Sequence, residues 1–68
     1  MKKVQFIVKC RPAQNSYTII APKCYEQYSA EYTNLSDLMT NIYRITAELR
    51  LRNVKAVFKF EYSCWRNS

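Results

Sequence analysis

Residues 34–64 read NLSDLMTNIYRITAELRLRNVKAVFKFEYSC, and within them the hydrophobic period changes from that of a helix to that of a strand. Leu35, Leu38, Met39, Ile42, Ile45 and Leu49 recur at helical spacing, with Asp37, Asn41, Arg44 and Glu48 on the opposite ridge. Asn34 offers a side-chain acceptor where a helix begins, and Asp37 stands three residues on in the acidic capping position. Arg50 and Arg52 suit the negative end of that helix, and Asn53 can take the left-handed conformation that ends it. Beyond the turn the period is two: Val54, Ala56, Phe58, Phe60, Tyr62 and Cys64 alternate with Lys55, Val57, Lys59, Glu61 and Ser63. One amphipathic helix followed by a strand with one apolar face is thus expected.

Upstream, residues 4–10 alternate in the same way, Val4, Phe6, Val8 and Cys10 on one side and Lys3, Gln5, Ile7, Lys9 and Arg11 on the other. Turn chemistry at residues 12–16 leads into Tyr17-Thr18-Ile19-Ile20-Ala21, which Pro22 closes, so the two segments read as a hairpin. A weaker alternation of Tyr28, Ala30 and Tyr32 predicts a third strand within residues 24–33. The expected fold is α+β: a small antiparallel sheet in the order βββαβ, or ββαβ without the third strand, with one amphipathic helix packed on one face. At 68 residues and 8.1 kDa the chain reads as a single compact domain over residues 1–68.

Composition narrows the chemistry. The chain has no glycine and no histidine, which excludes glycine-rich phosphate loops, the glycine-bearing RNA-binding signatures and any imidazole base or ligand. Corners must instead be built from Pro12, Asn15, Pro22, Asn34, Asn53 and Asn67. Three cysteines without a C-x-x-C pair match neither a secreted disulfide framework nor a zinc site, so reduced thiols in a cytoplasm are expected and no cofactor or metal is. Cys10 and Cys64 share the apolar parity of their strands and read as small buried hydrophobes; Cys24 is expected in the third strand. The carboxylates Glu26, Glu31, Asp37 and Glu48 form no paired acid and base, and an enzyme is not expected. No apolar run is long enough to cross a membrane, and no leader or anchor is read.

Eleven Lys and Arg face five Asp and Glu, and the imbalance is uneven along the chain. Lys2, Lys3, Lys9, Arg11 and Lys23 occupy residues 1–23 without an acid, residues 24–48 are net acidic, and Arg50, Arg52, Lys55, Lys59 and Arg66 return in the final stretch. By strand parity Lys3, Lys9, Arg11, Lys55 and Lys59 fall on the side away from the helix, with Ile7 and Val57 among them. Trp65 follows on the same parity, and Tyr25 is the tyrosine expected to be exposed. Cations interleaved with apolar and aromatic groups suit a nucleic acid, where charge follows the phosphates and a ring stacks on a base. The same charges equally serve as solubilising devices, or steer the chain to an acidic protein surface.

The stretch Ser16-Tyr17-Thr18-Ile19-Ile20-Ala21-Pro22, followed by Asn34-Leu35-Ser36-Asp37-Leu38 and Asn41-Ile42, resembles the HicB-type antitoxin domain over about the middle half of the chain. The resemblance implies a sheet-and-helix unit with a protein partner; it departs from the family in lacking glycines at the second turn and a DNA-binding extension. In style the short, basic, glycine-free chain also resembles orphan proteins of phages and mobile elements, including inhibitors of host nucleases. Two functions are therefore expected in turn. The first is a small non-enzymatic binder of a nucleic acid or nucleoprotein complex, most specifically a phage-type, anti-CRISPR-like inhibitor of a host defence nuclease. The alternative is a protein-interaction module, HicB-like or a strand-edge homodimer.

Overall fold

The computed structural model describes residues 2–62. It shows a small α+β fold, an open four-stranded sheet with one helix. The strands are β1 (Lys2–Arg11), β2 (Ser16–Ile20), β3 (Ala30–Tyr32) and β4 (Val54–Tyr62), and the helix α1 (Leu35–Arg50) joins β3 to β4. Their spatial order is β3-β2-β1-β4. Short 3-10 turns at Pro12–Gln14 and Lys23–Tyr28 make the other connections.

Without glycine, the chain takes its two positive-φ positions at asparagines, the residues whose short polar side chain best tolerates that region. Asn15, at φ 50°, turns β1 into β2, and Asn53, at φ 60°, ends the helical segment and starts β4. At the other end of α1 the Asn34 side chain accepts a hydrogen bond from the Asp37 N–H at 2.8 Å and returns one from Nδ2 to the Asp37 carboxylate at 3.0 Å. The helix boundaries thus follow the capping chemistry written in the sequence.

Leu38, Ile42, Ile45 and Leu49 of α1 pack on Val4, Phe6, Val8, Cys10, Ile19 and Val54 of the sheet to form the core. Phe6 is its centre, stacked on Phe58 with ring centroids 5.0 Å apart. Leu35, placed by its spacing on the apolar stripe, is instead exposed, because it lies in the first turn, outside the core cluster.

Two expectations are corrected here. The sheet is mixed, not wholly antiparallel: β1 pairs antiparallel with β2 and β2 with β3, but β1 and β4 run parallel, Lys2 beside Val54 through Cys10 beside Tyr62. Two hairpins leave β3 running in the direction of β1, and a single helix carries the chain back to start a strand in that same direction. The third strand spans only Ala30–Tyr32, and residues 23–28, Cys24 and Tyr25 included, form the kinked 3-10 segment. The Tyr25 N–H bonds to the Pro22 carbonyl at 2.8 Å and the Ser29 N–H to that of Glu26 at 3.0 Å. In such a turn residues three apart share a side. Tyr25 and Tyr28 are three apart, and both lay their rings against Phe6, at 6.5 and 6.2 Å.

Candidate binding face

Strand parity divides the sheet, and the registers assemble its open side residue by residue. On β4 that side carries Lys55, Val57, Lys59 and Glu61, which lie beside Lys3, Gln5, Ile7 and Lys9 of β1. On β2 it carries Ile20, Thr18 and Ser16, beside Ile7, Lys9 and Arg11. Every one of these side chains is exposed or half-buried, whereas their alternating neighbours Val4, Phe6, Val8, Cys10 and Val54 are buried under α1 and the aromatic turn.

Lys3, Lys9, Arg11, Lys55 and Lys59 therefore share one surface. Lys3 stands directly opposite Lys55, a like-charge pairing that costs stability in a ladder. At the centre Ile7 and Ile20 face each other, with Val57 near them on β4. Acid enters only at the margins: Glu61 beside Lys9, and Glu31, which pairs with Thr18 on the outer strand and accepts a hydrogen bond from the Ser16 hydroxyl at 3.0 Å. Among the described residues the sole ion pair lies elsewhere, on α1, between Arg44 and Glu48 at 3.2 Å.

The aromatic part of the expected face is corrected. Tyr25 is half-buried on the helix side, stacked with Tyr28 at 6.5 Å, because the 3-10 turn replaces the strand that would have pointed it outward. Trp65 lies outside the described residues, as do Cys64, Arg66 and Asn67. Among the described residues the side chains of open-face parity are aliphatic where apolar, and the ring of Tyr62 reaches that face only at its end, beside Lys9, Arg11 and Glu61. Ile20 is not marked by any sequence signal beyond adjacency: Ile19 and Ile20 in one strand must face opposite ways, so one of them lies on the open side.

Cys10 is buried, and that burial pushes its thiol pKa up, which keeps it protonated as a core side chain; Cys24 is a free, exposed thiol. Tyr28 donates its hydroxyl to Glu48 at 3.0 Å, tying the aromatic turn to the helix. Burial, then the bond to Glu48, raises the Tyr28 pKa, while the same bond, then the Arg44 guanidinium, lowers that of Glu48. Among the described residues no three His, Cys, Asp or Glu side chains cluster to hold a metal, and no helix is long and apolar enough to cross a membrane. The cavities are shallow, the one at the basic face measuring about 260 Å³ between Lys9, Arg11, Glu61 and Tyr62. Compared with protein-family models, with curated proteins and with solved structures, the chain matches none.

Proposed function

We propose that the protein is a non-enzymatic binder whose open sheet face docks on a nucleic acid, or on the nucleic-acid-bearing surface of a nucleoprotein complex. The observation that carries this reading is the gathering of Lys3, Lys9, Arg11, Lys55 and Lys59 on two adjacent strands of one uncovered face. Lys3 to Arg11 spans roughly 26 Å of strand, room for several phosphates. The opposition of Lys3 and Lys55 fits the same purpose, since an anion lying between them converts a repulsion into two attractions. Such a face acts by occlusion and needs no reacting group. In its most specific form the activity is that of a phage or mobile-element inhibitor of a host defence nuclease, working in the host cytoplasm.

A second reading, a module that binds an acidic protein surface, is favoured by one feature: the middle of the face is Ile7, Ile20 and Val57, which can bury aliphatic area but cannot stack on a base. Salt separates the two. Single-stranded nucleic acid contacted at four or five phosphates gives a log K against log salt slope of about −3, at roughly −0.7 per phosphate. Capture of the natural target with and without nuclease, read by mass spectrometry, decides the rest: loss of capture after nuclease treatment supports the first reading. Capture that survives, with a salt slope well below that of a polyanion, overturns it in favour of the second.

A further inference from the structure

The two edges of the sheet are unequal. One is the three-residue β3; the other is the nine-residue β4, bonded to β1 on one side and to nothing described on the other. A long strand with a free row of N–H and C=O groups is a template for another strand. Three further features of β4 specify which strand it fits.

First, the helix-side residues at its far end are exposed although apolar, Phe60 at 40% and Tyr62 at 64%. Second, the near end carries a mostly apolar cavity of about 300 Å³ lined by Thr46, Arg50, Val54, Lys55 and Ala56. Lys55 lies on the opposite sheet face from Val54 and Ala56, and β1 occupies the inner side, so a cavity touching all three opens at the free edge. Third, the strand is complementary to its own reverse. Phe58 is the midpoint of Val54–Tyr62. Antiparallel pairing about a two-fold axis at Phe58 sets Lys55 against Glu61 of a second copy, Ala56 against Phe60 and Val54 against Tyr62.

From these we infer that β4 is a homodimerisation edge: two copies join antiparallel, centred on Phe58, into one eight-stranded sheet. Each exposed aromatic then faces a small residue at the mouth of the other copy's cavity, and each Lys55 meets a Glu61. The neighbouring registers fail on charge. An axis at Val57 sets Lys55 against Lys59, and an axis at Lys59 sets that lysine against itself. In the Phe58 register Lys59 meets Lys55 and Lys59 of the second copy only diagonally, at roughly 7–8 Å, where repulsion is weaker. A two-fold axis normal to the sheet keeps both helices on one side and both basic faces on the other. The inference rests on the β4 edge, which shares Lys55 with the basic face, and does not depend on what that face binds.

Sedimentation equilibrium of the full chain without nucleic acid, over a micromolar to millimolar series, tests it. A mass of two chains is expected. Lys55→Glu or Glu61→Lys alone is expected to weaken association on the order of tenfold, because two-fold symmetry introduces each like-charge clash twice, and the double exchange to restore it. Phe60→Ala is expected to weaken it comparably, with unfolding followed by circular dichroism to establish that the monomer is intact. A monomer throughout the series overturns the inference and leaves the edge to a strand of another protein. A dimer indifferent to the single exchanges, or not restored by the double one, overturns the register and with it the self-complementarity on which the inference stands.

Discussion

The two faces of the sheet are written by the same strands in alternate letters, yet they are under opposite constraints. The covered face is apolar and tightly enclosed: Phe6, Val8, Ile19, Leu38 and Leu49 are fully buried. The open face carries five cations, a like-charge pair and an aliphatic centre. Stability is invested on one side, and a repulsion that stability alone would remove is kept on the other. In a domain this small, changes at the fully buried positions of the covered face should therefore disturb folding, and changes on the open face should disturb association and leave the fold intact.

The largest effect that tests this division is expected from Leu38→Ala, which empties a fully buried site and should cost about 3 kcal/mol in urea unfolding. If the loss stays below about 1 kcal/mol, the covered face is not the core. Next, Lys9→Glu with Lys59→Glu is expected to lower affinity for the polyanion more than tenfold in a fluorescence-anisotropy titration, with an unchanged melting curve. Parallel loss of both would show that these lysines serve the fold. Asn34→Ala, which removes an N-cap on neither face, is expected to cost about 1 kcal/mol and to leave binding alone.

The smallest effect is a pH dependence. The bond from Tyr28 holds the Glu48 pKa below that of the unfolded chain, so its contribution is full above the ordinary carboxylate range and is lost as pH falls through the depressed value. Tyr28 has the opposite sign: its pKa is raised, so its contribution is full below the ordinary tyrosine range and is lost as pH rises through the higher folded value. Tyr28→Phe is expected to remove the tyrosine's alkaline loss and to reduce the acid loss at Glu48, as read by melting temperature against pH. A profile unchanged by the substitution would break the assigned link between turn and helix.

Much of this division could be read in the letters, because parity does not depend on which strand lies beside which. The alternation in residues 54–62 and the capping pair of Asn34 and Asp37 are local signals, and local rules placed them. Orientation is not a local property. Nothing within β4 distinguishes a parallel from an antiparallel neighbour; the single helix between β3 and β4 does, by returning the chain to the same direction. Tyr25 departs from its expected place because tyrosines at 25, 28 and 32 serve a strand or a 3-10 turn equally well, and Pro22 together with packing against Phe6 decides for the turn. Ile20 was hidden by a run of two isoleucines in which only the hairpin register tells inside from outside.

The parallel ladder between β1 and β4 joins the beginning of the described chain to its end. During synthesis β1 leaves the ribosome early and can acquire β2 as a hairpin, but its other edge has no neighbour until β4 has emerged. The long-range ladder is therefore the last part of the sheet that can close, and until it does the inner edge of β1 offers its unpaired backbone to any other strand.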